Sequence, residues 1–160
     1  MNLEVNSLEY KCWHEIGHAM VCLHLGGTVD FVEIMGEESG GRGFARARCN
    51  TTPDIRPYVL CAGFATEYVL SRKGFLAAID EREFTQLVFK NSTIDREMYH
   101  GVSQKHDFSE SEDREFMDLA VNTVSPIIAS HLGKMHEIVG ILCSVGRIEG
   151  SQIAALLSGT

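Results

Sequence analysis

At 160 residues the chain has room for one domain with a real hydrophobic core and little room for two. Its 44% apolar and 22% charged content is ordinary for a globular protein. A formal charge of -8 argues against general affinity for nucleic acid or an anionic membrane, since both need a basic surface.

No run approaches the roughly 18 to 20 consecutive apolar residues that cross a bilayer. The start, Met1-Asn2-Leu3-Glu4-Val5, has neither the basic opening nor the apolar core of a signal peptide. The expectation is a cytoplasmic protein. Cys12, Cys22, Cys49, Cys61 and Cys143 are scattered, odd in number and without a CxxC pair. They read as reduced core thiols, and not as a thiolate zinc site.

The first predicted helix opens at Asn6, followed three residues later by Glu9 as in a capping box, and stops at Gly26-Gly27. Val29 to Met35 alternates loosely and reads as a strand. Gly36 to Gly43 reads as a turn, and Phe44 to Cys49, alternating apolar with basic residues, as a partner strand. A second helix is expected from about Asp54 to Leu70. Residues 75–90 are compatible with a helix or an irregular excursion. A short helix should start near Asn91-Ser92-Thr93. Ser109 with Glu112 forms another capping box, opening a long helix towards His131 that Pro126 can kink. A helix after Gly133 to about Val145 and a short one over Ile153–Leu157 complete the chain. No repeat or linker divides it, so residues 1–160 read as a single domain.

The chemistry concentrates in the first helix, at His14-Glu15-Ile16-Gly17-His18. Two histidines four residues apart share a helix face one turn apart and can bind one zinc ion together. Glu15 projects beside them as a general base for water, whose pKa zinc lowers to about 7. Gly17 inside the helix costs about 1 kcal/mol relative to alanine, which makes sense if something approaches the backbone closely there. His24 stands ten residues after His14, where metzincins place a third histidine, but Val21 holds the position of their turn glycine. The helix therefore continues and His24 points away. Cys22, one turn beyond His18, reads as a buried thiol.

On these residues the chain resembles the peptidase domain of FtsH-type ATP-dependent zinc metalloproteases. Trp13 to Val21 is similar to that family's HEAGHAxV segment and Val29 to Ile34 to the strand after it. Ala62 to Val69 is similar to its GGRAAEEL helix, with Phe64 in place of the arginine, and Arg147 to Ile153 to its TLxGEEI turn. The resemblance implies an α+β fold, mainly helical and zincin-like, with a small β-sheet beside the HExxH helix. It implies a third metal ligand, an aspartate in the first turn of a short helix. Asn91 to Asp95 matches that turn, which makes Asp95 the expected ligand and Asp113 and Asp107 the alternatives. It also implies that Glu67 orients a ligand histidine, the other reading being a salt bridge to a lysine or arginine. Residues 75–90 look like an insertion.

The resulting expectation is a zinc metallopeptidase with one Zn2+ per chain, held by His14, His18 and Asp95, with Glu15 as base. A protein or peptide substrate would lie along the strand edge at Phe44, Ala45, Arg46 and Ala47. No GxxxxGK[ST] phosphate loop occurs in the sequence. ATP-driven unfolding would therefore need a separate ATPase, and assembly into a homo-oligomer is open. The competing reading is a catalytically idle zinc-binding adaptor domain of the same fold; zinc hydrolysis of a non-peptide amide is a third.

Overall fold

A computed structural model describes residues 1–38 and 42–159. The fold is α+β, mostly helical, with a three-stranded antiparallel sheet. Its axis is helix α1 (Leu8–His24), which buries residues on nearly every face, among them Tyr10, Trp13, Ile16 and Met20. A helix apolar all round belongs in a core, and here the sheet covers one side and helices cover the others. The cap of α1 is Ser7, whose Oγ accepts from the Tyr10 N–H at 3.2 Å. Asn6, the expected cap, instead takes a positive φ of 64°, and its Oδ1 accepts from Asn91 Nδ2. Asparagine tolerates that conformation, so it turns the chain just ahead of the helix.

Strands β1 (Thr28–Glu38) and β2 (Arg42–Asn50) pair antiparallel, with Val32 opposite Ala47 and Ile34 opposite Ala45. Both are longer than the sequence pattern indicates. The expected Gly36–Gly43 turn has its centre, residues 39–41, outside the described residues. A third strand, β3 (Arg147–Glu149), pairs with β1 through Ile148 opposite Val32. By sequence it resembles a turn, because three residues are too few to show a period of two. The sheet order β2-β1-β3 leaves β2 on an edge, packed beside α1.

The expected helix over 54–70 is two: α2 (Arg56–Leu60), with Pro57 in its first turn, and α3 (Ala62–Arg72). Residues 75–90 resolve into an approach and helix α4 (Glu81–Asn91), capped by Asp80. Helix α5 (Thr93–His100) follows at once and ends on Gly101 at φ 66°. Helix α6 (Glu110–Leu119) opens on the full Ser109/Glu112 capping box. A π-helical turn over Ala120–Val124 then leads into α7 (Ser125–Ser130). The break comes just before Pro126, whose missing N–H leaves the preceding turn a donor short. There Ser125 Oγ donates to the Val121 carbonyl at 2.5 Å. Helices α8 (Leu132–Val145) and α9 (Gly150–Ser158) close the fold around β3.

The cysteines are unpaired, but only Cys12, Cys22 and Cys61 are buried. Cys49 is half-buried and Cys143 exposed, a correction to the expectation of core thiols throughout. Among the described residues no helix is long and apolar enough to cross a membrane.

Candidate metal centre

Four elements bring the site together. Helix α1 presents His14 and His18, both buried, on the face towards α3 and α5. Their approach to α3 depends on two glycines. A Cβ at Gly17 would sit 2.0 Å from Thr66 Oγ1, and one at Gly63 would sit 2.1 Å from His14 Nε2. The glycine that interrupts the helical pattern of α1 therefore stands where α3 passes closest. Helix α5 brings Asp95 from 77 residues away, in its first turn.

The imidazole tautomers follow from their partners. His14 Nδ1 lies 2.5 Å from Glu67 Oε2, and His18 Nδ1 lies 2.6 Å from the Val59 carbonyl, in the last turn of α2. A carboxylate and a carbonyl only accept, so each Nδ1 carries the hydrogen and each neutral ring presents a bare Nε2. The two Nε2 atoms are 3.3 Å apart. Asp95 Oδ2 lies 3.4 Å from that of His14 and 3.1 Å from that of His18. With both rings neutral, three acceptors converge with no hydrogen among them. Such an arrangement needs a cation, either a proton or a metal.

The triangle has the right size for zinc. Bonds of about 2.0–2.1 Å from imidazole nitrogen and carboxylate oxygen place tetrahedral neighbours roughly 3.3–3.4 Å apart. Two imidazoles and a carboxylate also form the mixed N/O set zinc accepts, with a fourth direction left open.

Glu15 stands beside the triangle. Its Oε1 accepts from the Ala47 N–H at 3.1 Å, and its Oε2 lies 3.8 Å from His14 Nε2, farther than Asp95. The nearest ligand atoms of His14, Glu15 and His18 all fall within 4.8 Å of one another. Asp95 is nonetheless the closer partner of both rings, and Glu15 has one oxygen committed to β2.

The electrostatics show the same demand for positive charge. Burial acts to lower the His14 pKa, yet hydrogen bonds to Asp95 and Glu67 raise it well above the usual histidine range. His18 is raised as well: burial opposes, but the Asp95 carboxylate prevails. Asp95, pushed up by burial, is pulled further down by the His18 and His14 rings and lies below the usual carboxylate range.

Glu67 is fully buried on α3 and, among the described residues, bonds no lysine or arginine. Besides the His14 ring it accepts from the Tyr10 hydroxyl and from Asn91 Nδ2 at 2.9 Å. Tyr10 stands four residues before His14, one turn up the same face, so its part was open to reading from spacing. Nothing in the sequence marks Asn91. Asp113, an alternative third ligand, instead accepts from Arg96 at 2.8 Å. Asp107, the other, is exposed in the 101–109 loop. His24 packs edge-on against His131, away from the pair.

The candidate substrate edge resolves by strand alternation. The Ala47 N–H points outward to Glu15, so that of Ala45 does too, whereas those of Phe44 and Arg46 face β1. Phe44 is exposed and lines one cleft beside the site, together with Ala45, His14 and Glu15. Arg46 is turned to the outer face, where it meets Glu33 at 3.5 Å and lies over Phe31. A second cleft, on the other side of Glu15, is lined by His18, Ala47, Cys49, Asp95 and Met98.

Comparison with protein-family models and with curated proteins finds no match to this chain. The likeness to the FtsH-type peptidase domain rests on the four sequence segments.

Proposed function

We propose that the chain is a zinc-dependent peptidase of the zincin type. His14, His18 and Asp95 hold one Zn2+, and Glu15 is the general base. The observation that carries this reading is the triangle of His14 Nε2, His18 Nε2 and Asp95 Oδ2, with edges of 3.1–3.4 Å. A bound ion supplies a Lewis acid that polarises the scissile carbonyl and acidifies a water. Glu15 then has a defined task. With Oε1 fixed by the Ala47 amide, Oε2 takes the proton of the attacking water and delivers it to the leaving nitrogen. Glu67 holds the His14 ring through Nδ1 and keeps Nε2 directed at the metal position.

The outward backbone of β2 suits an extended peptide. Ala47 N–H is engaged by Glu15, which leaves the Ala45 N–H and the carbonyls of both alanines for a substrate added at the edge. Exposed Phe44 and Met98 flank the two clefts and would meet its side chains.

The test combines elemental analysis with hydrolysis of unfolded proteins and short peptides, with and without chelator. The purified chain should hold about one zinc. Glu15→Gln should keep the metal and lose activity by about 10²–10⁴-fold, because an amide cannot accept the proton. Unchanged turnover in zinc-loaded Glu15→Gln removes Glu15 from the mechanism. Full zinc with no hydrolysis of any amide would favour the idle adaptor domain, although Glu15 beside the ligands has no use in a closed structural site.

A further inference from the structure

The residue after Asp95 is a buried arginine that touches neither the ligand set nor the clefts. Arg96 is 8% exposed. Its guanidinium lies 4.3 Å from the Phe108 ring centroid and 5.4 Å from that of Phe89. Nη1 donates to Asp113 Oδ1 at 2.8 Å and Nη2 to the Phe89 carbonyl at 2.8 Å. These contacts join three segments: the last turn of α4, the first turns of α5, and the start of α6. Burying an arginine is costly unless it is paired. Its head here ties the start of α5 to both α4 and α6.

Asp95 stands at this corner, in the first turn of α5. A tether on the other side of the same corner makes the device two-ended. Asn91, the last residue of α4, donates to Glu67 Oε1, and Glu67 holds His14. The segment 91–96 is thus pinned to the histidine side at one end and to α6 at the other, with Asp95 next to the second pin.

We propose that Arg96, clamped by Asp113, is a positioning residue that aims the Asp95 carboxylate at the two histidines. The inference rests on the zinc reading. On this view the carboxylate of Asp113 serves the metal centre through Arg96, without ligating.

The experiment compares the full chain with Arg96→Met, which keeps an apolar stem between the two rings, and with Asp113→Ala. Arg114→Ala is the control, since it breaks an exposed ion pair to Glu110 on the same helix. Zinc affinity is measured by competition with a chromogenic chelator. The visible absorption of bound Co2+ reports ligand geometry, and thermal unfolding of the metal-free proteins reports packing. Arg96→Met and Asp113→Ala should each weaken zinc binding by about 10–100-fold. Both should also alter the Co2+ spectrum, the double variant should be no worse than the weaker single, and Arg114→Ala should match wild type. Wild-type zinc affinity and Co2+ spectrum in both variants, whatever their melting temperatures, would overturn the proposal and leave Arg96 as packing alone. If Arg96→Met fails to fold, Asp113→Ala decides by itself, because that side chain is a third exposed and its loss leaves the helix intact. A wild type that binds no zinc at all would remove the metal reading and this inference together. Normal binding in the variants removes only this one.

Discussion

Replacing Gly63 by alanine sets local preference against the metal site. In helical conformation alanine is favoured over glycine by up to about 1 kcal/mol, so by propensity alone the change should stabilise α3. The new Cβ, however, would lie 2.1 Å from Nε2, 2.3 Å from Cε1 and 2.6 Å from Cδ2 of His14. Carbon contacts settle at about 3.5–4.0 Å, which requires ring or backbone to retreat by more than roughly 1 Å. Metal–ligand distances tolerate only about 0.2 Å. The ring has little freedom to swing, because its Nδ1 is held by fully buried Glu67. The expected outcome is a loss of zinc affinity of at least about 10–100-fold, measured by chelator competition, in a protein that still unfolds cooperatively. Gly140→Ala is the matched control: it lies in α8, where an added methyl group would meet nothing within 4 Å. It should gain about 0.5–1 kcal/mol in denaturant unfolding and leave zinc binding unchanged. Wild-type zinc affinity in Gly63→Ala would refute the reasoning, since it would mean that the close approach of α3 to His14 does not constrain the ligand.

Gly17→Ala places a Cβ 2.0 Å from Thr66 Oγ1 and 3.1 Å from the Ala62 carbonyl, and should destabilise the fold by about 1–3 kcal/mol through overpacking, read by urea unfolding. Asp95→Ala should nearly abolish tight zinc binding by leaving two protein ligands, whereas Asp107→Ala should bind zinc as wild type does. Glu112 accepts from the Ser109 backbone N–H and pairs with His106, which together hold its carboxyl down to about 2 from an ordinary 4.5. A folded pKa below the unfolded one stabilises above the unfolded value and is lost as pH falls. The stability gap between wild type and Glu112→Gln should therefore hold steady from about pH 7 to 5 and shrink from roughly pH 4.5 towards 2. A gap that persists unchanged to pH 2.5 would contradict that assignment.

The histidine half of the site was legible because it is local. His14, Glu15 and His18 share one helix face whatever the rest of the chain does, and Gly17 on the same turn already signalled a close neighbour. The Ser109/Glu112 capping box was equally self-contained, and so were the two long strands. What the sequence concealed depends on tertiary placement. The break between α2 and α3 falls at Cys61, which carries no breaker of its own, and β3 exists only because β1 lies beside it. Asp95, Asp107 and Asp113 are alike as residues near helix starts. Only the family likeness favoured the first, and only the path of the chain between α4 and α6 distinguishes their surroundings.

That path also explains why the two halves of the site depend on each other. His14 and His18 are fixed from behind by Glu67 and the Val59 carbonyl, both contributed by the α2–α3 pair. Asp95 arrives on α5, whose own contacts with α1 are few and which packs instead against α2, α4 and α6. Asn91 fastens the start of that segment to Glu67. A single buried carboxylate therefore orients one ligand directly and anchors the stretch of chain that delivers another. Glu67→Gln would keep the volume while weakening the bonds to Tyr10, His14 and Asn91 at once. Its effect on zinc affinity should consequently exceed that of Asn91→Ala, and the order of those two losses tests whether Glu67 acts on both ligands or on His14 alone.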